Sequence, residues 1–108
     1  MGFLKKWYPE FTDRLDEIDS LREEKGILDE KTYQFICLAL AIRGRSAPCL
    51  RKHFLGALEA GATMEEVSHV VALTMREAAG NDDCWIHDVI GDERELMRQA
   101  SSDCCCSR

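Results

Sequence analysis

With 108 residues, 45% of them apolar and 31% charged, the chain has the length and balance of one globular domain. Its formal net charge of −6 excludes wholesale binding of a phosphate backbone, which clustered Lys and Arg must meet. No apolar run approaches the roughly 20 residues that span a bilayer, so neither a nucleic-acid partner nor a membrane is expected.

The opening stretch MGFLKKWYPEF has two lysines but no long apolar core and no small-residue cleavage site. No secretory signal is read there, and a cytoplasmic location follows by default. Gly2 does not mark myristoylation, because Lys6 stands where that motif needs Ser or Thr.

Helical punctuation recurs along the chain and strand alternation does not, which predicts an all-α fold in a single domain over residues 1–100. Pro9 opens a first amphipathic helix, roughly 9 to 24, with Phe11, Leu15, Ile18 and Leu21 or Arg22 on one face and Gly26 as its stop. Asp29 caps a second helix. From Tyr33 to Ile42 only Gln34 is plainly polar, so this helix is expected to be buried on nearly all sides before Gly44 ends it. Ser46 or Ala47 starts a third, with Pro48 in its first turn and Gly61 at its end. Thr63 and Glu66 form a capping box for a fourth, whose buried face carries Val67, Val70, Val71 and Met75 and which Gly80 closes. Asn81 to Asp83 offer a cap for a last helical stretch that breaks at Gly91 and runs to about Gln99. The polar end, residues 101–108, reads as a disordered, cysteine-rich tail.

Three of the six cysteines, Cys104, Cys105 and Cys106, crowd that tail, while Cys37, Cys49 and Cys84 lie in helical patterns. This distribution points to thiol chemistry and away from a disulfide scaffold. Between Thr32 and Leu58 there is no acidic residue, whereas Arg43, Arg45, Arg51 and Lys52 all fall inside that span. An acidic chain therefore carries one basic region, and Cys49 lies within it.

Cys49 falls at about the third position of its helix, where backbone amides and the helix dipole favour an anion by about 0.3–1 kcal/mol. His53 lies one turn on, on the same face, and its imidazole is placed to take the thiol proton directly or through one water. Both effects favour the thiolate, the form that attacks peroxides and disulfides. Plain packing also accounts for a Cys and a His spaced by four on an amphipathic helix, and Ser46 is a standard N-cap. Gln34 needs a polar partner inside the fold, and Cys37 reads as a small core hydrophobe.

The run from Lys31 to Gly80, above all SAPCLRKHFLGALEAGATMEEV, resembles the carboxymuconolactone decarboxylase superfamily in its alkylhydroperoxidase D-like branch. That branch shows a buried helix, then Cys-x-x-Cys-x-x-x-His opening the next helix, then Ala-x-x-x-Gly-Ala-Ser/Thr before an acidic helix start. Here Cys49, His53, Ala57, Gly61, Ala62, Thr63, Glu65 and Glu66 fit. The resemblance implies an alkylhydroperoxidase D-like helical fold without a cofactor, assembled as a trimer or hexamer. Trp7, Phe11 and the first helix are the expected contact surface. It also implies a thiol-dependent antioxidant function on small peroxides or disulfides, with Cys49 as nucleophile, His53 as proton relay and an external thiol as reductant. Two positions depart from the pattern. Ser46 stands where the branch has its resolving cysteine, and Gln34 stands where it has a glutamate in the relay. Candidates for the resolving thiol are Cys84, one of Cys104, Cys105 and Cys106, or an external thiol. Cys84 is expected at a helix start.

Two other readings stay open at this point: a non-catalytic oligomeric binding protein of the same fold, and a metal protein using Cys49, His53, Cys84 and His87. The segment ALEAGATMEEVSHVV has the outline of a helix-turn-helix, but Glu65 and Glu66 on the second helix make it a poor groove reader. Adjacent tail cysteines are too close for an unstrained disulfide with each other, so they read as resolving or metal-capturing thiols.

Overall fold

The computed structural model describes residues 2–103, and every regular element among them is an α-helix. In chain order these are α1 (Gly2–Trp7), α2 (Pro9–Lys25), α3 (Glu30–Arg43), α4 (Ala47–Glu59), α5 (Met64–Ile90) and α6 (Glu93–Asp103). The short α1 was not anticipated from the sequence. The caps fall where local chemistry places them. Asp29 accepts from the Thr32 N–H at 2.7 Å, Ser46 from the Cys49 N–H at 3.4 Å, and Thr63 and Glu66 complete a reciprocal capping box. Gly26, in the left-handed region at φ 59°, ends α2.

Two expectations fail at the C-terminal side. Gly80 does not end a helix: α5 runs through it to Ile90, and Gly91, at φ 62°, ends it instead. A helix-interior glycine costs only about 1 kcal/mol relative to Ala, which 27 hydrogen-bonded residues absorb. Cys84 consequently sits inside a helix and not at a helix start, without a terminal dipole to favour an anion. The last helix, expected to end near Gln99, extends as α6 to Asp103, and Cys104, Cys105 and Cys106 lie outside the described residues.

α3 and α4 form an antiparallel hairpin around a three-residue bend, and the first half of α5 packs across both. Leu38, Ala57 and Val67 are the buried centre, surrounded by Phe35, Leu50, Phe54 and Val71. Burying Leu38, 1% exposed, contributes roughly 2 kcal/mol. Lys31 ties the starts of α3 and α5 together through Glu66 at 2.9 Å. The Thr63 N–H, and then Lys31, hold the Glu66 carboxyl below its ordinary range.

The rest of the chain is far from self-contained. Its radius of gyration is 21.0 Å, against about 13 Å for a compact domain of this length. Its surface of 8947 Å² exceeds by about 2,800 Å² what a compact monomer of this mass exposes. α3 is not buried on all sides as expected: Ile36 and Leu40 are exposed, Leu40 by 64%. Trp7, Phe11, Ile18 and Leu21 of the N-terminal helices are exposed as well, and every residue from 81 to 102 is exposed. No helix among the described residues is long and apolar enough to cross a membrane.

Candidate functional site

Ser46, Cys49 and His53 descend one face of α4, spaced by three and four residues, and that face looks across to α3. A cleft of about 310 Å³ lies between the two helices, lined by Cys37, Leu40 and Ala41 from α3 and by Ser46, Cys49 and His53 from α4. Cys49 also borders a second, more polar cleft of about 570 Å³ toward α2, shared with Lys5, Asp13, Asp16 and Lys52. Its thiol is exposed and free, placed between the two.

The imidazole of His53 is held from behind. Its Nδ1 lies 2.8 Å from Gln34 Oε1, and Gln34 Nε2 donates to Glu30 Oε1 at 2.8 Å. A carboxylate only accepts, so Glu30 orients the amide with its oxygen toward the ring. His53 Nδ1 must then carry the proton, which leaves the Nε2 lone pair as the free base. Burial, and behind it the Lys52 ammonium, hold His53 below its ordinary range, so the ring is neutral at pH 7 and ready to accept. Tyr33 stands edge-on to it with ring centroids 6.2 Å apart.

This arrangement depends on Gly56. A Cβ built there would come within 2.5 Å of Gln34 Cδ and 2.6 Å of its Oε1, so the amide rests on bare backbone. Arg22 closes the network from α2. Its guanidinium lies 3.4 Å from the Tyr33 ring centroid and 3.8 Å from a Glu30 oxygen. The Cys37 side chain one turn further along α3, then burial, holds the Tyr33 phenol above its ordinary range.

The structure thus brings together Cys49, His53, Ser46 and Gln34, the four predicted site residues, and leaves Cys84 apart. The last buried residue of α5 is Thr74, and Cys84 lies ten residues on, about 15 Å along the helix. With His87 it occupies the exposed end of α5. Among the described residues no three His, Cys, Asp or Glu side chains gather as a metal's ligands, so Cys49, His53, Cys84 and His87 do not form one site.

The basic surroundings also differ from expectation. Of the four bases in the acid-free span, only Lys52 borders a cleft with Cys49, and α2 brings Asp13 and Asp16 to the same place. Arg51 faces the opposite side of α4, beside Leu50 and Phe54. Pro48 has no N–H and Ser46 takes that of Cys49, so the first turn offers fewer free amides than a bare helix start.

Residues 9–82 match the sequence model of the carboxymuconolactone decarboxylase family. The chain belongs to that family. The six helices among the described residues agree with the all-α fold of the alkylhydroperoxidase D-like branch, which is consistent with this family. No curated protein matches the chain.

Several residues that surround the candidate site are not apparent from motif spacing: Glu30, Tyr33, Arg22, Gly56 and Cys37. A signal exists for two of them. Gly56 is an isolated glycine within a helical pattern, a mark of close backbone approach, and Glu30 stands one turn ahead of Gln34, the one plainly polar residue between Tyr33 and Ile42.

Proposed function

We propose that the protein reduces hydroperoxides, or the disulfides that follow from them, through Cys49. The observation that supports this reading best is the contact of His53 Nδ1 with Gln34 Oε1 at 2.8 Å, in a ring that shares a cleft with Cys49. The Cys49 proton passes to His53 Nε2, directly or through one water. The thiolate attacks one peroxide oxygen; the O–O bond breaks, an S–O bond forms, and the leaving alkoxide recovers the proton from the imidazolium. The products are an alcohol and a Cys49 sulfenic acid, which an external thiol ultimately returns to the thiol. Gln34, a neutral amide, positions His53 and does not shuttle protons as a glutamate would. The polar cleft beside Lys5 and Lys52 is the substrate's approach. Decarboxylation, the activity in the family's name, has less support, because the bases near Cys49 are balanced by Asp13 and Asp16.

We also propose that the working form is a homo-oligomer, a trimer or hexamer. The surplus surface of about 2,800 Å² exceeds the roughly 800 Å² per partner of a standard interface, and its exposed apolar residues suit a permanent one. A groove of about 350 Å³ between α3 and α5, lined by Phe35, Ile36, Leu40 and Leu73, is part of that surface. The catalytic claim is tested by hydroperoxide consumption with a thiol reductant. The parent should turn over and Cys49→Ser should not; equal rates would leave an oligomeric binding protein as the reading.

A further inference from the structure

Ser46 removes the resolving sulfur from the motif, so a Cys49 sulfenic acid needs another thiol within reach. The α3–α4 hairpin supplies one. Ala41 accepts the Ser46 N–H at the bend, and two turns away, seven residues further along each helix, Gln34 meets His53. Cys37 lies between those two pairs on α3. Counting the same four residues from the bend along α4 reaches Leu50, which packs into the core, and its neighbour Cys49 turns toward the cleft. Cys37 and Cys49 accordingly line one cleft from opposite walls, with His53 beside them. The seam between the helices is built of small residues, Ala41, Gly56 and Ala57, which favour close approach of the two backbones, and a disulfide needs a Cα separation of roughly 4.4–6.8 Å. Both thiols are free, Cys37 half-buried and Cys49 exposed.

We propose that Cys37 is the resolving thiol, forming a reversible Cys37–Cys49 disulfide across the cleft in place of the missing bond within the motif. The proposal rests on the peroxidase reading above. The Cys37 sulfur attacks the sulfur of the Cys49 sulfenic acid; the S–O bond breaks, the S–S bond forms, and hydroxide leaves with the Cys37 proton as water. His53 is the nearby base for that proton, lining the same cleft as both sulfurs. An external dithiol then reduces the bond by attacking Cys49, the more exposed sulfur, and departs as its own disulfide.

Trypsin separates the two cysteines, placing Cys37 in the peptide Thr32 to Arg43 and Cys49 in Ser46 to Arg51. The full chain is treated with one equivalent of hydroperoxide, its free thiols are alkylated, and the digest is analysed by mass spectrometry. The expected product is these two peptides joined, two hydrogens lighter than their sum. In Cys37→Ser and Cys37→Ala the link disappears, dimedone traps Cys49 as sulfenic acid, and excess peroxide drives it to sulfinic acid. A Cys49 link to Cys84 or to a tail cysteine overturns the proposal, as does dimedone labelling of Cys49 in the parent without any link to Cys37. Those results leave the peroxidase reading standing. A Cys49 that peroxide leaves reduced overturns both.

Discussion

Gly56→Ala is expected to destabilise the protein although it raises helix propensity, and the reason is one side chain. Alanine in a helix interior gains about 1 kcal/mol over glycine. Here its Cβ would stand 2.5–2.8 Å from Gln34 Cδ, Oε1 and Nε2, well inside contact distance. The amide is the far end of a flexible chain, so it swings away and backbone strain is avoided. Swinging away breaks its bonds to His53 and Glu30, worth about 1 kcal/mol each. The net effect is a loss of about 1 kcal/mol, or about 4 °C in Tm for a domain of this size. With Gln34→Ala as background the obstacle is absent, and Gly56→Ala should stabilise by about 1 kcal/mol. The double-mutant cycle, measured by denaturant unfolding, should therefore show a coupling of about 2 kcal/mol between positions 34 and 56. Peroxide turnover should fall in Gly56→Ala, because His53 loses its anchor. A coupling near zero, with Gly56→Ala stabilising in both backgrounds, would refute the contact and the role assigned to Gln34.

Exchanging the two partners, Gln34→Glu with Glu30→Gln, places a carboxylate on His53 Nδ1 without adding charge. The imidazole should then titrate at higher pH by NMR, and an unmoved titration would contradict the hydrogen bond. In the parent, the His53 pKa is lowered by burial and by Lys52, so in the window below its ordinary 6.5 the unfolded chain binds the proton that the folded one does not. Stability contributed by neutral His53 is thus lost as pH falls through that window, and the rate of Cys49 alkylation should fall as the imidazole becomes protonated; a rate independent of His53 identity across it would contradict the base. Light scattering on a sizing column should give three or six times the chain mass of 12.3 kDa, and a monomer would remove the assembly argument.

Helix starts were legible because a cap is a local event. Asp29, Ser46 and Thr63 each satisfy a backbone donor three residues on, which spacing alone reveals. The end of α5 was not, since a glycine marks a stop only when tertiary packing also turns the chain, and residues 81–90 stay exposed among the described residues. Ile36 and Leu40 illustrate a different limit. Their apolarity was read as burial within the chain, whereas their surface remains open in the single subunit. At the site, Cys49 and His53 follow from helical periodicity, and Gln34 announced itself as a polar group needing a partner. Its actual partners, His53 and Glu30, depend on how α3 meets α4. Arg22, Tyr33 and Cys37 enter through contacts within and between α2, α3 and α4 that no single-helix pattern contains.

The central claim, that His53 serves Cys49 as a base, is tested most directly by stopped-flow oxidation of Cys49 with an organic hydroperoxide, comparing the parent with His53→Ala at pH 7. A positioned base accounts for a factor of about 10²–10⁴. The account predicts that the variant slows by at least about 10²-fold while keeping its helical fold. Equal rate constants in the two proteins, each no greater than that of free cysteine, would contradict it.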